Sequence, residues 1–148
     1  MPARKCMSEG EGPFFLDSNI LIYAFDTAEP RKRARSRALI ESLPAEAIVL
    51  SAQVVNEFYF TVTRKLRRPV PAAEAEEAVR GLSGFRILPL DYRLSVAAME
   101  VVRRHQLSIW DALIVESAIE GRCRTLFSED FQNGRKYGTL TVTNPFVD

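Results

Sequence analysis

Five short apolar runs limit what this chain can become: residues 14–16, 47–50, 85–88, 125–127 and 139–142. Each is three or four residues long and is bounded by polar or turn-forming residues. That is the length and punctuation of a buried strand, not of a helix. The Gly12-Pro13 pair precedes the first run, and residues 20–25 behind it read as a first short helix. Residues 31–43 set Ala34, Ala38, Leu39 and Ile40 against a basic face and stop before Pro44, as an amphipathic helix does. Ser51 is placed to cap a helix running to about Leu66, with Val55, Phe58, Tyr59, Val62 and Leu66 on one side. Residues 72–81 end on Gly81, and residues 91–105 space Leu94, Ala97, Ala98, Val101 and Val102 helically. Ser108 opens a last helix over 109–120, closed by Gly121 and apolar almost all round, which predicts a buried helix. Trp110 within it, like the phenylalanines, reads as core and not as a surface for stacking bases. Strands that alternate with helices at this spacing predict an α/β fold with a mostly parallel sheet covered on both faces.

With 148 residues there is room for one domain that buries roughly two-thirds of its unfolded surface. We expect that domain over residues 13–148, behind a disordered tail over 1–12. The tail has no apolar segment of signal-peptide type, and no run approaches the ~20 apolar residues that span a bilayer. Cys6 and Cys123 have no second Cys or His at ligand spacing, so no disulfide framework or zinc site is expected. These features predict a cytoplasmic protein with no membrane partner. The net charge of +1 commits the chain to no polyanion. Its cations are nevertheless clustered, at Arg31-Lys32-Arg33 with Arg35 and Arg37, at Arg64-Lys65 with Arg67-Arg68, and at Arg103-Arg104. A solvated helix face is the simplest account of each cluster; a polyanionic partner would give them a use, but they do not establish one.

The acids carry more information. Asp17 follows the first strand, Glu57 lies early in the helix after the second, Asp111 lies early in the buried helix, and Asp130 follows a later strand. In a parallel sheet with right-handed crossovers all strand carboxyl ends share one edge, where ligands bind. Asp17, Asp130 and the start of the Glu57 helix belong on that edge. Asp111 joins them if its helix packs with its N-terminus toward it. Two unit charges about 4 Å apart repel by about 4 kcal/mol at an effective dielectric of 20. Such a group raises its pKa values, stays apart or holds a cation. All-oxygen donors without paired His or Cys suit Mg²⁺ or Mn²⁺ rather than zinc. A hard cation on carboxylates is suited to phosphodiester hydrolysis. Each acid also has a plainer reading: Asp17 as a helix cap, Glu57 as a solvated helix acid, Asp111 within a Ser108-to-Asp111 capping box, and Glu129-Asp130 as a turn. With His105 the only histidine, and no phosphate-binding glycine loop, other catalytic systems have little support.

Four stretches also resemble a known family. Residues 15–23 (FLDSNILIY), 51–58 (SAQVVNEF), 107–114 (LSIWDALI) and 126–131 (LFSEDF) are similar, in order, to the PIN domain and within it to VapC-type toxin ribonucleases. The resemblance runs from Phe14 to Phe146. It implies a three-layer α/β/α sandwich with a mostly parallel central sheet and a Mg²⁺-dependent endoribonuclease, with Mn²⁺ as a substitute. It implies metal-binding catalytic acids at Asp17, Glu57, Asp111 and a fourth position, Asp130 or the adjacent Glu129. Ser18 matches the small hydroxyl residue that supports the first acid. Members are commonly homodimers held inactive by an antitoxin protein, so both partners are expected beside the RNA substrate. The alternative expectation is a PIN-like module that binds RNA or a regulatory partner without turnover.

Overall fold

The computed structural model describes residues 12–148. Apart from Gly12, the tail expected over 1–12 lies outside the described residues, as does Cys6. The strands are β1 (Phe14–Leu16), β2 (Ile48–Ser51), β3 (Arg86–Leu88), β4 (Thr125–Phe127), β5 (Lys136–Tyr137) and β6 (Leu140–Thr143). The helices are α1 (Ser18–Tyr23), α2 (Pro30–Ser42), α3 (Ala52–Arg64), α4 (Ala72–Gly81), α5 (Tyr92–His105) and α6 (Ile109–Glu120).

One sheet runs in the order β3-β2-β1-β4-β6-β5. Its first five members are parallel, with Phe14 in register with Ile48 on one side and Thr125 on the other. Only β5 is antiparallel, paired to β6 through a two-residue turn in which Gly138 takes φ 62°. From β1 the chain steps outward to β2 and β3, then returns past β1 to β4. Right-handed crossovers in opposite directions put the intervening helices on opposite faces. Accordingly α1 packs on α2 and α3, α3 packs on α4, and α5 packs on α6. This is the expected α/β/α sandwich with a mostly parallel sheet. β1 and β2 are buried at every residue because helices cover both of their faces, whereas β3 lies partly exposed at the sheet edge.

Local chemistry sets most helix starts. Ser51 Oγ accepts from the Val54 N–H at 3.3 Å, Asp91 Oδ1 from Leu94 N–H at 2.8 Å, and Ser108 Oγ from Asp111 N–H at 3.1 Å. The helix α1 begins at Ser18 and ends at Tyr23, two residues ahead of expectation at both ends. The core centres on Phe15, Leu16, Val49, Leu50, Val54 and Leu126. Behind α6, Gly121 lets the chain pass the sheet closely: a Cβ there would lie 3.1 Å from Val49 Cγ1 and 3.2 Å from Leu88 Cδ1.

Two expectations about apolar residues are corrected. The α6 segment from Ala112 to Ala118 is largely buried, but Trp110 is 64 % exposed and Ile119 41 %. Ile109 turns toward the small α5–α6 cluster around Leu94 and Ala98, so the next residue, about 100° round the first turn, faces outward. Phe60 on α3 is likewise 54 % exposed, because Phe58 and Val62 occupy the face that meets the core.

Candidate functional site

Between β1 and β4 the topology changes direction, and the ends of these two strands form the site. Asp17 directly follows β1, and its N–H donates to the Phe127 carbonyl at the end of β4 at 3.0 Å. Its carboxylate is held from both sides. Oδ1 accepts from the Ser18 N–H at 2.7 Å, and Oδ2 accepts from Ser128 Oγ at 2.7 Å. A helix cap ordinarily reaches the second or third free N–H of its helix. Asp17 instead bonds only the first and turns its other oxygen toward β4. Ser128 Oγ also accepts from Asn19 Nδ2 at 3.3 Å and from the Asp130 N–H at 3.1 Å. Asn19 Nδ2 donates in addition to Asp130 Oδ2 at 3.1 Å.

The remaining acids arrive from the helix layers. Ser18 Oγ donates to Glu57 Oε2 at 2.8 Å, tying α1 to α3. Gln53, one turn before Glu57, sends its Nε2 to Glu57 Oε1 at 2.7 Å and to the Trp110 carbonyl at 3.1 Å. That second bond brings the N-terminus of α6, and with it Asp111, to the same edge. The orientation on which Asp111's membership depended is therefore the one present.

Electrostatics link all four acids. Asp17 is 4 % exposed. Burial pushes its carboxyl from 3.8 up to about 7, against the lowering effect of the Ser128 and Ser18 hydrogen bonds, and the charges of Asp130 and Glu57 add to the rise. Asp111 is raised as well, first by burial and next by Asp130, with the Ser108 hydrogen bond opposing and Glu57 adding. Desolvated, mutually repelling carboxylates favour either a proton or a cation. Beside them Gln53 Oε1 is buried with no hydrogen-bond partner among the described residues, a further acceptor left over. In donor type and in surplus negative charge the residues fit a hard divalent cation. Among the described residues, no three acidic, His or Cys side chains are drawn together closely enough to hold an ion as they stand. Ser18 and Gln53 take up the oxygens of Glu57, Asn19 bonds Asp130, and Ser128 bonds Asp17.

Glu129 and Asp130 part company. The Asp130 carboxylate faces Asn19, and its charge acts on Asp17 and Asp111. Glu129 turns away to accept from Tyr23 Oη and from Lys32 Nζ, the latter at 2.9 Å. That hydrogen bond, ahead of its other causes, holds Lys32 up at about 12. The basic clusters differ too. Arg31 and Arg35 pair with Asp148, and Arg37 Nε donates to the Ala24 carbonyl. Arg104 pairs with Glu100. Arg64, Lys65, Arg67 and Arg68 are exposed and make no ion pair among the described residues.

Three supporting residues were not singled out from the sequence: Asn19, Gln53 and Ser128. Asn19 and Ser128 stand beside acids in the two strand-to-loop stretches, and Gln53 lies one helical turn before Glu57. That i,i+4 spacing is the one signal by which Gln53 could have been found.

The four carboxylates thus stand at the switch point of a mostly parallel sheet in an α/β/α sandwich. The sequence model of the PIN domain matches residues 14–136. The chain belongs to the PIN domain family. No curated protein matches it at a significant level. Among solved structures it is similar to a chain of a toxin-antitoxin complex from Klebsiella pneumoniae, at 18 % identity and TM-score 0.68 over 89 % of this chain and 97 % of that one. It is similar also to VapC20 of Mycobacterium tuberculosis, described as a sarcin-ricin loop cleaving toxin, at 22 % identity and TM-score 0.65 over 79 % and 91 %. FitAcB from Neisseria gonorrhoeae matches at 22 % identity and TM-score 0.58 over 90 % and 98 %. At these identities the likeness is one of fold.

Proposed function

We propose that the chain is a divalent-metal-dependent endoribonuclease, the toxin of a toxin-antitoxin pair. The observation that supports this most is the convergence of Asp17, Glu57, Asp111 and Asp130 where β1 and β4 end, with the Asp17 carboxyl at about 7. A pure binding surface gains nothing from repelling carboxylates. The same four acids are the proposed holders of Mg²⁺ or Mn²⁺. When bound, such an ion polarises a phosphate oxygen and acidifies water beside it.

The chain's own residues supply position. Ser128 and the Ser18 N–H fix both oxygens of Asp17, and Ser18 Oγ with Gln53 Nε2 fixes both oxygens of Glu57. Asn19 orients Asp130. Acids held in this way need little reorganisation when a phosphodiester and its attacking water arrive. The water adds to phosphorus, the bond to the leaving sugar oxygen breaks, and the leaving oxygen takes up a proton. Glu129 lies outside this set. Its role is to anchor α2 to the loop after β4, through Lys32.

The likeness in fold to VapC20 and to chains of toxin-antitoxin complexes supports an RNA substrate and an antitoxin partner as part of this proposal. A homodimer is part of the same proposal. Purified protein incubated with single-stranded and structured RNA in Mg²⁺ or Mn²⁺ should cut internally, and EDTA should abolish cutting. Equal cutting in chelator, with no metal carried through purification, would contradict the reading. Binding of RNA without cleavage in any metal would move the protein to the regulatory-module alternative.

A further inference from the structure

Trp110, next to Asp111, takes no part in the acid chemistry. It is the sole tryptophan of the chain and is 64 % exposed. Among the described residues its indole takes part in no aromatic pair and no cation–π contact. Solvating so large an apolar ring forgoes burial that the fold offers to its neighbours Ile109 and Ala112.

Its backbone, in contrast, is firmly placed. The Trp110 carbonyl accepts from Gln53 Nε2, the nitrogen that also holds Glu57, and the next residue is Asp111. Trp110 and Asp111 share the first turn of α6, so the exposed ring and the carboxylate are carried by adjacent residues of one short, anchored segment. The backbone that carries the exposed ring is thus tied through the Gln53 amide to the Glu57 carboxylate.

We propose that Trp110 stacks on a nucleobase adjacent to the cleaved phosphate and positions single-stranded RNA in the site. This rests on the nuclease reading and adds to it the recognition of an unpaired base. Phosphate contacts place a strand, but they leave a flexible single strand free to slide. A flat aromatic next to the reacting centre fixes register without demanding a sequence, because every base presents a π-face. Trp110 is a positioning residue and takes no part in proton transfer. Base stacking of this kind changes binding by about 5- to 150-fold when the ring is removed.

The test uses the intact protein with W110F, W110L and W110A. Cleavage of a short single-stranded RNA in Mg²⁺ should show KM raised about 5- to 150-fold for W110L and W110A, with kcat changed much less, and W110F should fall between these and the parent. The fluorescence of the parent's only indole, read in Ca²⁺ to slow turnover, should be quenched by the oligomer. An oligomer of equal length with abasic sites next to the scissile phosphate should quench little. W110L cleaving within twofold of the parent would overturn the proposal, as would an unquenched indole while anisotropy of labelled RNA reports full binding. Quenching by the co-expressed antitoxin alone, with none by RNA, would assign the ring to the protein partner instead. A parent that neither binds nor cuts RNA would remove the nuclease reading and this inference together. Normal cutting by W110L would remove only this one.

Discussion

Replacing Asp17 by Asn should change how stability depends on pH, and the structure sets the size of the change. The Asp17 carboxyl has its ordinary value of 3.8 in the unfolded chain and about 7 in the fold. Between those values the unfolded state binds fewer protons than the native state, so stability falls as pH rises. The favourable contribution of protonated Asp17 is complete below 3.8 and lost as pH passes about 7. At 1.36 kcal/mol per pH unit, the loss is about 4 kcal/mol as an upper figure. Asn keeps an acceptor for the Ser18 N–H but sets an amide nitrogen where Ser128 Oγ now donates, which costs about 1–2 kcal/mol. Asp17→Asn should therefore be about 2–3 kcal/mol more stable than the parent at pH 8 without metal, and slightly less stable below pH 4. For a chain of this size that is a gain of roughly 5–10 °C in Tm at pH 8. Mg²⁺ at 100 times Kd should close most or all of that gap, since it adds about 2.7 kcal/mol to the protein that binds it. The assay is urea or thermal unfolding of both proteins from pH 4 to 8.5, in EDTA and then in Mg²⁺. Parallel stability curves in EDTA would refute the argument that Asp17 is buried with unrelieved charge.

The two neighbouring acids after β4 should behave oppositely. Asp130→Asn should lower cleavage by about two to three orders of magnitude. Glu129→Gln should leave the rate near that of the parent and lower stability by at most about 1 kcal/mol through the half-exposed Lys32 pair. Equal loss of activity in both would reopen the choice. Ser128→Ala removes the hydroxyl that serves Asp17, Asn19 and the Asp130 N–H, and should reduce metal affinity and cleavage about 10- to 100-fold. A rate within twofold of the parent would show that Ser128 only fills space. Neutralising Arg64, Lys65, Arg67 and Arg68 should flatten the salt dependence of RNA binding, by about 0.7 in the log–log slope for each phosphate left without its cation. Neutralising Arg31 and Arg35, which face Asp148, should flatten it far less, and the opposite ranking would place the RNA path on α2.

Much of this was legible because the decisive signals are local. Ser51, Asp91 and Ser108 mark helix starts by chemistry that acts within three residues. The parallel sheet follows from strand length and spacing, and the shared edge of the acids follows from crossover handedness. The hairpin strand β5 was not legible. It is two residues long, and its pairing depends on a turn at Gly138 and not on an apolar run. Trp110 was misplaced because a nearly all-apolar helix has no periodicity to say which residue faces out. That is decided by the packing of Ile109 on the α5–α6 cluster, which leaves the next residue outside. Asn19 and Ser128 act through side-chain bonds across 109 and 111 residues of chain, and Gln53 reaches Trp110 across 57, distances at which sequence spacing says nothing. Only the i,i+4 bond of Gln53 to Glu57 was open to reading. The division of labour between Glu129 and Asp130 turns on Lys32, another distant partner.

The central claim is that these carboxylates bind a divalent cation and that buried Asp17 is among its ligands. A calorimetric titration of Mg²⁺ or Mn²⁺ into the protein, repeated in buffers of different ionisation enthalpy, tests it directly. With the Asp17 carboxyl at about 7, the site carries about 0.9 of a proton at pH 6 and very little at pH 8.5. Metal binding should release that proton at pH 6 and almost none at pH 8.5, with affinity rising between the two. Asp17→Asn should bind more weakly and release no such proton at either pH. Absence of binding, or binding with no proton release that Asp17→Asn leaves unchanged, would contradict the account.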